Sequence, residues 1–320
     1  MVLNHFRMKK AQNRSEISAE AFKKQVFQGI AFFLLLTALG TVFFILFKSK
    51  IKEAGDKRTL LEYWDNGEWE TAYEKSRENL AKNPMDPFFL TINGFSAYQT
   101  ALAQINNEDA LIFIEDCILS LRKAMLGKNA DKDGRIRYVL GKAYYAKGKD
   151  YADLAVKYLE EAGELSFNAA DYNEYLGLSF AAIKNYQKSI EAFTASLNPA
   201  SGEDSDLLLL HIAQSYIGLE EWEAAKAYLI RCTETSKDAD LTLNAHLLLG
   251  KALVQGGDTD GALEVFERVL EMNGENAEAS YEIGEIYAAL GDMTRARAAW
   301  RRARRADPNF APAITRLNAQ

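Results

Sequence analysis

Histidine and cysteine are scarce in this chain: His5, His211 and His246, with Cys117 and Cys232, are all that 320 residues contain. The two cysteines form no close pair. Both fall where small residues recur, as buried thiols do, so they do not report the redox compartment. His211, Cys232 and His246 lack the paired spacing and the four-ligand complement of structural zinc, so no metal is expected. Proline is also rare, with 5 residues, and no Gly/Ser-rich run occurs, which argues against long disordered stretches. The net charge of -7 leaves no basic excess to displace counterions, so nucleic acid is not an expected partner. Phosphate-binding glycine loops, nucleophile elbows and zinc-protease helices are all missing. Neither catalysis nor a cofactor is therefore expected.

What is present begins with an apolar run. Residues 29–47 carry no charged side chain and span about 28 Å as a helix, enough for a bilayer core. Residues 1–28 form a basic tail with Arg7, Lys9, Lys10, Arg14, Lys23 and Lys24. Lys48, Lys50 and Lys52 follow the run where a cleaved leader would have small residues, so an uncleaved single-pass anchor is expected. The six basic residues before the run, against Lys48, Lys50, Lys52, Lys57 and Arg58 after it, lean the orientation towards an inside N-terminus, as does the short amino-terminal tail. The remainder of the chain would then lie outside the cytoplasm, on an inner-membrane anchor facing the periplasm.

Residues 277–310 read as two amphipathic helices and a turn. Gly284, Ala296 and Ala303 sit where the helices would touch, Ile283, Tyr287 and Trp300 fill between them, and Gly291 turns the chain. The pattern recurs at 243–276 with Gly250, Leu253, Gly257, Ala262 and Phe266, and at 206–239 with Ala213, Tyr216, Ala225 and Leu229. It returns at 170–203 with Gly177, Phe180, Ser189 and Phe193, and at 134–169 with Gly141, Tyr144, Gly148, Ala155 and Leu159 plus two extra turn residues. A weaker unit occupies 53–86, and 87–133 holds an insertion between its helices. A hairpin of this kind cannot bury its apolar face alone, so stacking is required.

Spacing and residue type together resemble the tetratricopeptide repeat. The resemblance implies an all-α solenoid, a right-handed superhelix of about seven helical hairpins over 53–310, preceded by one transmembrane helix and closed by a C-terminal cap at 311–320. It also implies a groove lined by the first helix of each hairpin. Carried onto this chain, the groove positions are Arg135, Tyr138 and Lys142, then Leu207, Leu210, Gln214 and Ile217, then Asn244, Leu247, Lys251 and Val254. The apolar members would either form a patch suited to the apolar face of a partner helix or pack between neighbouring first helices, since a fraction of a turn of helix rotation separates the two. The carboxylate clamp of the family's chaperone-binding members is missing, because Glu174, Gln214, Leu248 and Glu282 stand at the corresponding places.

The last repeat carries a basic patch, Arg297, Arg301, Arg304 and Arg305. It is either a solvated outer helix face, partly neutralised by Glu278, Glu282 and Glu285, or a docking patch for anionic lipid or an acidic protein. The plan as a whole is similar to bacterial envelope proteins with an N-terminal anchor and an extracytoplasmic repeat domain. That similarity implies a scaffold for other proteins in a secretion translocon or flagellar-motor type machine, and leaves room for self-association. Two rival readings are a lipid-surface regulator acting through the arginines and an organelle-surface receptor with cytosolic repeats.

Overall fold

The computed structural model describes residues 41, 48, 50, 52–128, 132–197 and 205–319. All regular structure among them is helical. Apart from Thr41, the apolar run 29–47 and the basic tail 1–28 lie outside the described residues. Among the described residues no helix is long and apolar enough to cross a membrane.

The chain divides into two compact units, 1–76 and 77–320. In the first, helix α1 (52–65) turns at Gly67 into α2 (Trp69–Leu80), which continues past the unit boundary. Leu60, Ala72 and Tyr73 are buried, and the Trp64 and Trp69 rings meet edge to face.

The second unit is a run of hairpins: α3 (Pro87–Leu102) with α4 (Asn107–Ala124), α5 (Gly134–Lys147) with α6 (Ala152–Glu164), and α7 (Tyr172–Ala182) with α8 (Tyr186–Ser196). It continues through α9 (Asp206–Gly218) with α10 (Trp222–Thr235), α11 (Ala239–Gln255) with α12 (Thr259–Met272), and α13 (Ala277–Ala289) with α14 (Met293–Ala306), closing on α15 (Ala311–Asn318). Each helix packs mainly on its hairpin partner. The second helix of one hairpin then packs on the first of the next, as in a solenoid of nearest-neighbour contacts.

Short polar side chains start most of these helices. Asp86, Asn106, Asp133, Asn185, Asp238, Asp258, Asn276 and Asp292 each accept a first-turn backbone N–H, satisfying donors the helix leaves unpaired. Pro87 follows Asp86 at the first helical position, where its missing N–H costs nothing.

Within a hairpin, one small residue on the first helix lies under one large residue on the second. A Cβ built on Gly177 would lie 2.7 Å from the Phe193 ring, on Gly250 2.6 Å from Phe266, and on Gly284 2.4 Å from Trp300. Gly141 takes Leu159 in the same way. In that repeat the two extra residues are absorbed by a 3-10 turn at Lys149–Tyr151. The turn joining the two helices needs one residue in the left-handed region. Gly148, Gly257 and Gly291 supply it, but Lys184 and Glu220 hold the same place at φ 60°.

Candidate protein-binding face

The first helices α5, α7, α9, α11 and α13 carry the groove positions, and ion pairs tie them together at both ends of this series. At one end, Lys142 on α5 places Nζ 2.7 Å from Asp171 Oδ2 and 3.2 Å from the Tyr138 hydroxyl, and 4.2 Å from the Tyr175 ring centroid. Tyr138 donates its hydroxyl to Asp171. Burial pushes the Tyr138 and Tyr98 hydroxyls well above the usual tyrosine range. Burial also pushes the Asp171 carboxyl up, but the hydrogen bonds from Lys142 and Tyr138 outweigh it and hold the group below its usual value. Tyr138 and Lys142 are thus committed to joining α5 to α7. Arg135 turns back onto Asp133 at 2.8 Å and remains largely exposed. Tyr98 and Tyr175, absent from the sequence-based set, complete the ring around Lys142. The recurrence of tyrosine on the first helices was the available signal.

At the other end, Lys251 on α11 pairs with Glu278 on α13, and Glu285 on α13 pairs with Arg316 on α15 through Nε at 2.9 Å. Glu282 lies among these carboxylates. Burial, together with Glu278 and Glu285, raises its pKa, against the lowering by Lys251. Of the glutamates expected to neutralise the basic patch, Glu278 and Glu285 are therefore paired with Lys251 and Arg316 instead.

Between the two ends, α9 and α11 show an apolar step. Residues seven apart on a helix fall almost on one line, and residues three apart diverge by about 60°. Leu207 and Gln214 form one line on α9, and Asn244 and Lys251 the matching line on α11. Leu207 is 43% exposed, and Gln214 and Asn244 are open to solvent. Leu210 and Ile217 form a second line on α9, as do Leu247 and Val254 on α11. Here the expected patch is corrected. Leu210 and Leu247 are 4% and 8% exposed and belong to the core that α9 and α11 share with their hairpin partners. The rotation of about 60° turns them into the stack. Ile217 and Val254, on the same line nearer the helix ends, are only half-buried. The apolar side chains of this set that stay accessible are thus Leu207, at the start of α9, and the half-buried Ile217 and Val254 towards the ends of α9 and α11.

Arg297, Arg301, Arg304 and Arg305 all lie exposed on α14, away from the buried line Ala296, Trp300 and Ala303. His211, His246 and Cys232 have separate partners. His211 stacks on Phe193, His246 Nδ1 lies 2.9 Å from the Thr242 carbonyl, and the Cys232 thiol donates to the Asp206 carbonyl. Burial, then Asp206, pushes the Cys232 thiol up to about 11, and burial drives Cys117 higher still, so neither is a ready nucleophile. Among the described residues no group of three or more His, Cys, Asp or Glu could hold a metal ion.

Residues 247–309, from within α11 to just past α14, match the tetratricopeptide repeat family. The C-terminal part of a TPR repeat-containing protein from Cytophaga hutchinsonii is similar in structure, with a TM-score of 0.59 at 20% identity over 82% of this chain and 99% of that one. YrrB, a TPR protein with an unusual peptide-binding site, gives a TM-score of 0.48 at 21% identity over 62% of this chain and 97% of its own. BBSome complex member BBS4 of Bos taurus is 27% identical over 134 residues, 41% of this chain and 24% of BBS4, so the match spans about a quarter of that relative. The fold is that of a tetratricopeptide-repeat solenoid.

Proposed function

We propose that this repeat solenoid is a membrane-anchored scaffold that holds the apolar face of a partner protein's helix along α9 and α11, in the assembly of a cell-envelope complex. The observation that carries this reading is the accessible step of Leu207, Ile217 and Val254 on successive first helices, bracketed by the Lys142–Asp171 and Lys251–Glu278 pairs. The pairs tie α5 to α7 and α11 to α13, and the shared core ties α9 to α11, so the step sits on a packed wall and little ordering cost falls on binding. Glu282 favours a basic residue at one end of the partner segment, because a cation there offsets the burial and, after it, the repulsion from Glu278 and Glu285 that raise its pKa.

In this reading the chain acts by binding, and the reading is supported by a sequence without phosphate-loop, nucleophile-elbow or zinc-protease motifs. BBS4 is by name a complex member, which supports protein partners for the repeats. The charge-free run 29–47 supports the anchor, and the basic tail before it supports an inside N-terminus with periplasmic repeats. Protease added to intact spheroplasts of the producing bacterium tests the topology: digestion of the repeats is expected, and protected repeats would place them in the cytosol. For the binding face, the full chain carrying Leu207→Asp and Val254→Asp should keep its circular dichroism spectrum and lose its helix-bearing partner in pull-downs from solubilised membranes. Retention of every partner by the folded variant would refute this face. The exposed arginines of α14 carry the second reading, an anionic lipid surface; it requires liposome binding that disappears when they become glutamine.

A further inference from the structure

Helix α4 has an outer face unlike those of α6 and α12. Helix α6 exposes Asp153, Lys157 and Glu160, and α12 exposes Glu264, Glu267 and Arg268. Helix α4 instead exposes Ile112 at 63% and Leu119 at 52%, with Leu126 at 77% just past its C-cap. These three are spaced by seven residues, so they form one nearly straight apolar line about 21 Å long. With 18 residues, α4 is also the longest helix of the unit, extended by the insertion in its repeat. Beside the line lies a depression of about 390 Å³, lined by Ile118, Leu119, Arg122, Leu126 and, across from α5, Lys147.

The charges along this line are ordered. Glu115 and Arg122 lie on one flank, Asp116 and Lys123 on the other, with the acids towards the start of α4 and the bases towards its end. A second α4 laid antiparallel, about a two-fold axis passing by Leu119, brings each acid opposite a base on both flanks. The same operation sets Ile112 opposite the copy's Leu126 and Leu119 beside its own copy. Such a pattern is self-complementary only under this symmetry, since a parallel copy would face acid with acid. Glu115 already accepts from Lys147 at 3.2 Å, and its second oxygen lets it take an arginine as well. We propose that the occupant of the α4 face is a second copy of this chain, paired antiparallel through Ile112, Leu119 and Leu126. The depression next to Leu119 receives an apolar side chain of the second copy.

One helix face on each side is smaller than the ~1,200 Å² of a stable complex, so the association is weak in dilute solution and strengthens where copies are concentrated. The test uses the full chain in the membranes of producing cells. Cys117 and Cys232 are buried, so a new surface thiol dominates oxidation. Leu119→Cys should give a reducible dimer under mild oxidant, and Arg268→Cys, on the outer face of α12, should not. Co-produced Ile112→Cys and Leu126→Cys chains should crosslink with each other. Added to Leu119→Cys, Glu115→Arg should lower the dimer yield several-fold, and Glu115→Arg with Arg122→Glu should restore it. Failure of both cysteine tests, crosslinks to a different protein alone, or dimers indifferent to the charge reversals would each overturn the proposal.

Discussion

Replacing Gly284 or Gly250 by leucine perturbs the contact on which each hairpin is built. A Cβ at Gly284 would stand 2.4 Å from Trp300 Cδ1 and 3.2 Å from the Ala296 carbonyl oxygen, and one at Gly250 2.6 Å from Phe266 Cε1. Ordinary carbon contacts start near 3.5 Å, so about 1 Å of movement is needed before the rest of the leucine is accommodated. The rings cannot swing away, because Phe266 is 0% and Trp300 3% exposed. On a free helix face, losing a glycine gains up to about 1 kcal/mol of helix propensity. Overpacking costs about 1–3 kcal/mol, occasionally more, and a leucine with nowhere to go belongs at the upper end, so the sign is destabilising. With urea m-values of about 3 kcal/mol/M for a unit of this size, the circular dichroism midpoint should fall by about 0.5–1 M. Gly55→Ala is the control. Gly55 has nothing within 4 Å of its built Cβ, so the midpoint should hold or rise. Unchanged midpoints in both leucine variants would mean that the hairpin contacts lie elsewhere.

Three further outcomes are expected. Lys184→Gly and Glu220→Gly should each stabilise by about 0.5–1 kcal/mol in the same urea assay, because both residues sit at φ 60°, where a Cβ is disfavoured. Glu282→Gln should stabilise the chain at neutral pH and do nothing in acid. The folded pKa of Glu282 is raised above 4.5, so its penalty is absent below about 4.5 and appears as pH rises through the folded value; thermal melts at pH 4 and pH 7 read it. Asp171→Asn should flatten the acid limb of the stability curve. The folded pKa of Asp171 is held below 3.8, so its stabilisation is present above that value and is lost as pH falls through the lower one.

The repeat itself was legible because its main contact leaves a spacing in the sequence. Gly177, Gly250 and Gly284 each precede their large partner by 16 residues, and no other residue fits under Phe193, Phe266 or Trp300 without displacing them. Asn276 and Asp292 cap their helices by accepting backbone N–H donors three residues on. Periodicity shows which residues share a face but not what covers it. Leu207 and Leu210 differ by about 60° around one helix, enough to leave the first exposed and bury the second against its neighbours. The turns at Lys184 and Glu220 were hidden because the usual glycine is missing there. The line Ile112, Leu119 and Leu126 stood in the sequence at heptad spacing, but leucine and isoleucine in a repeat helix read first as core. Only the position of α4 on the outside distinguishes them.

Photo-crosslinking in the native membrane tests the binding face most directly. A photoreactive residue is placed in the full chain at Leu207, at Val254, or at Arg268 on the outer face of α12, and the adducts are identified by mass spectrometry. The α9–α11 face predicts the same discrete protein captured from positions 207 and 254, through a helix of that protein, with none from position 268. Capture of that protein from position 268 as readily as from the other two, or of no protein from any of them, would contradict it.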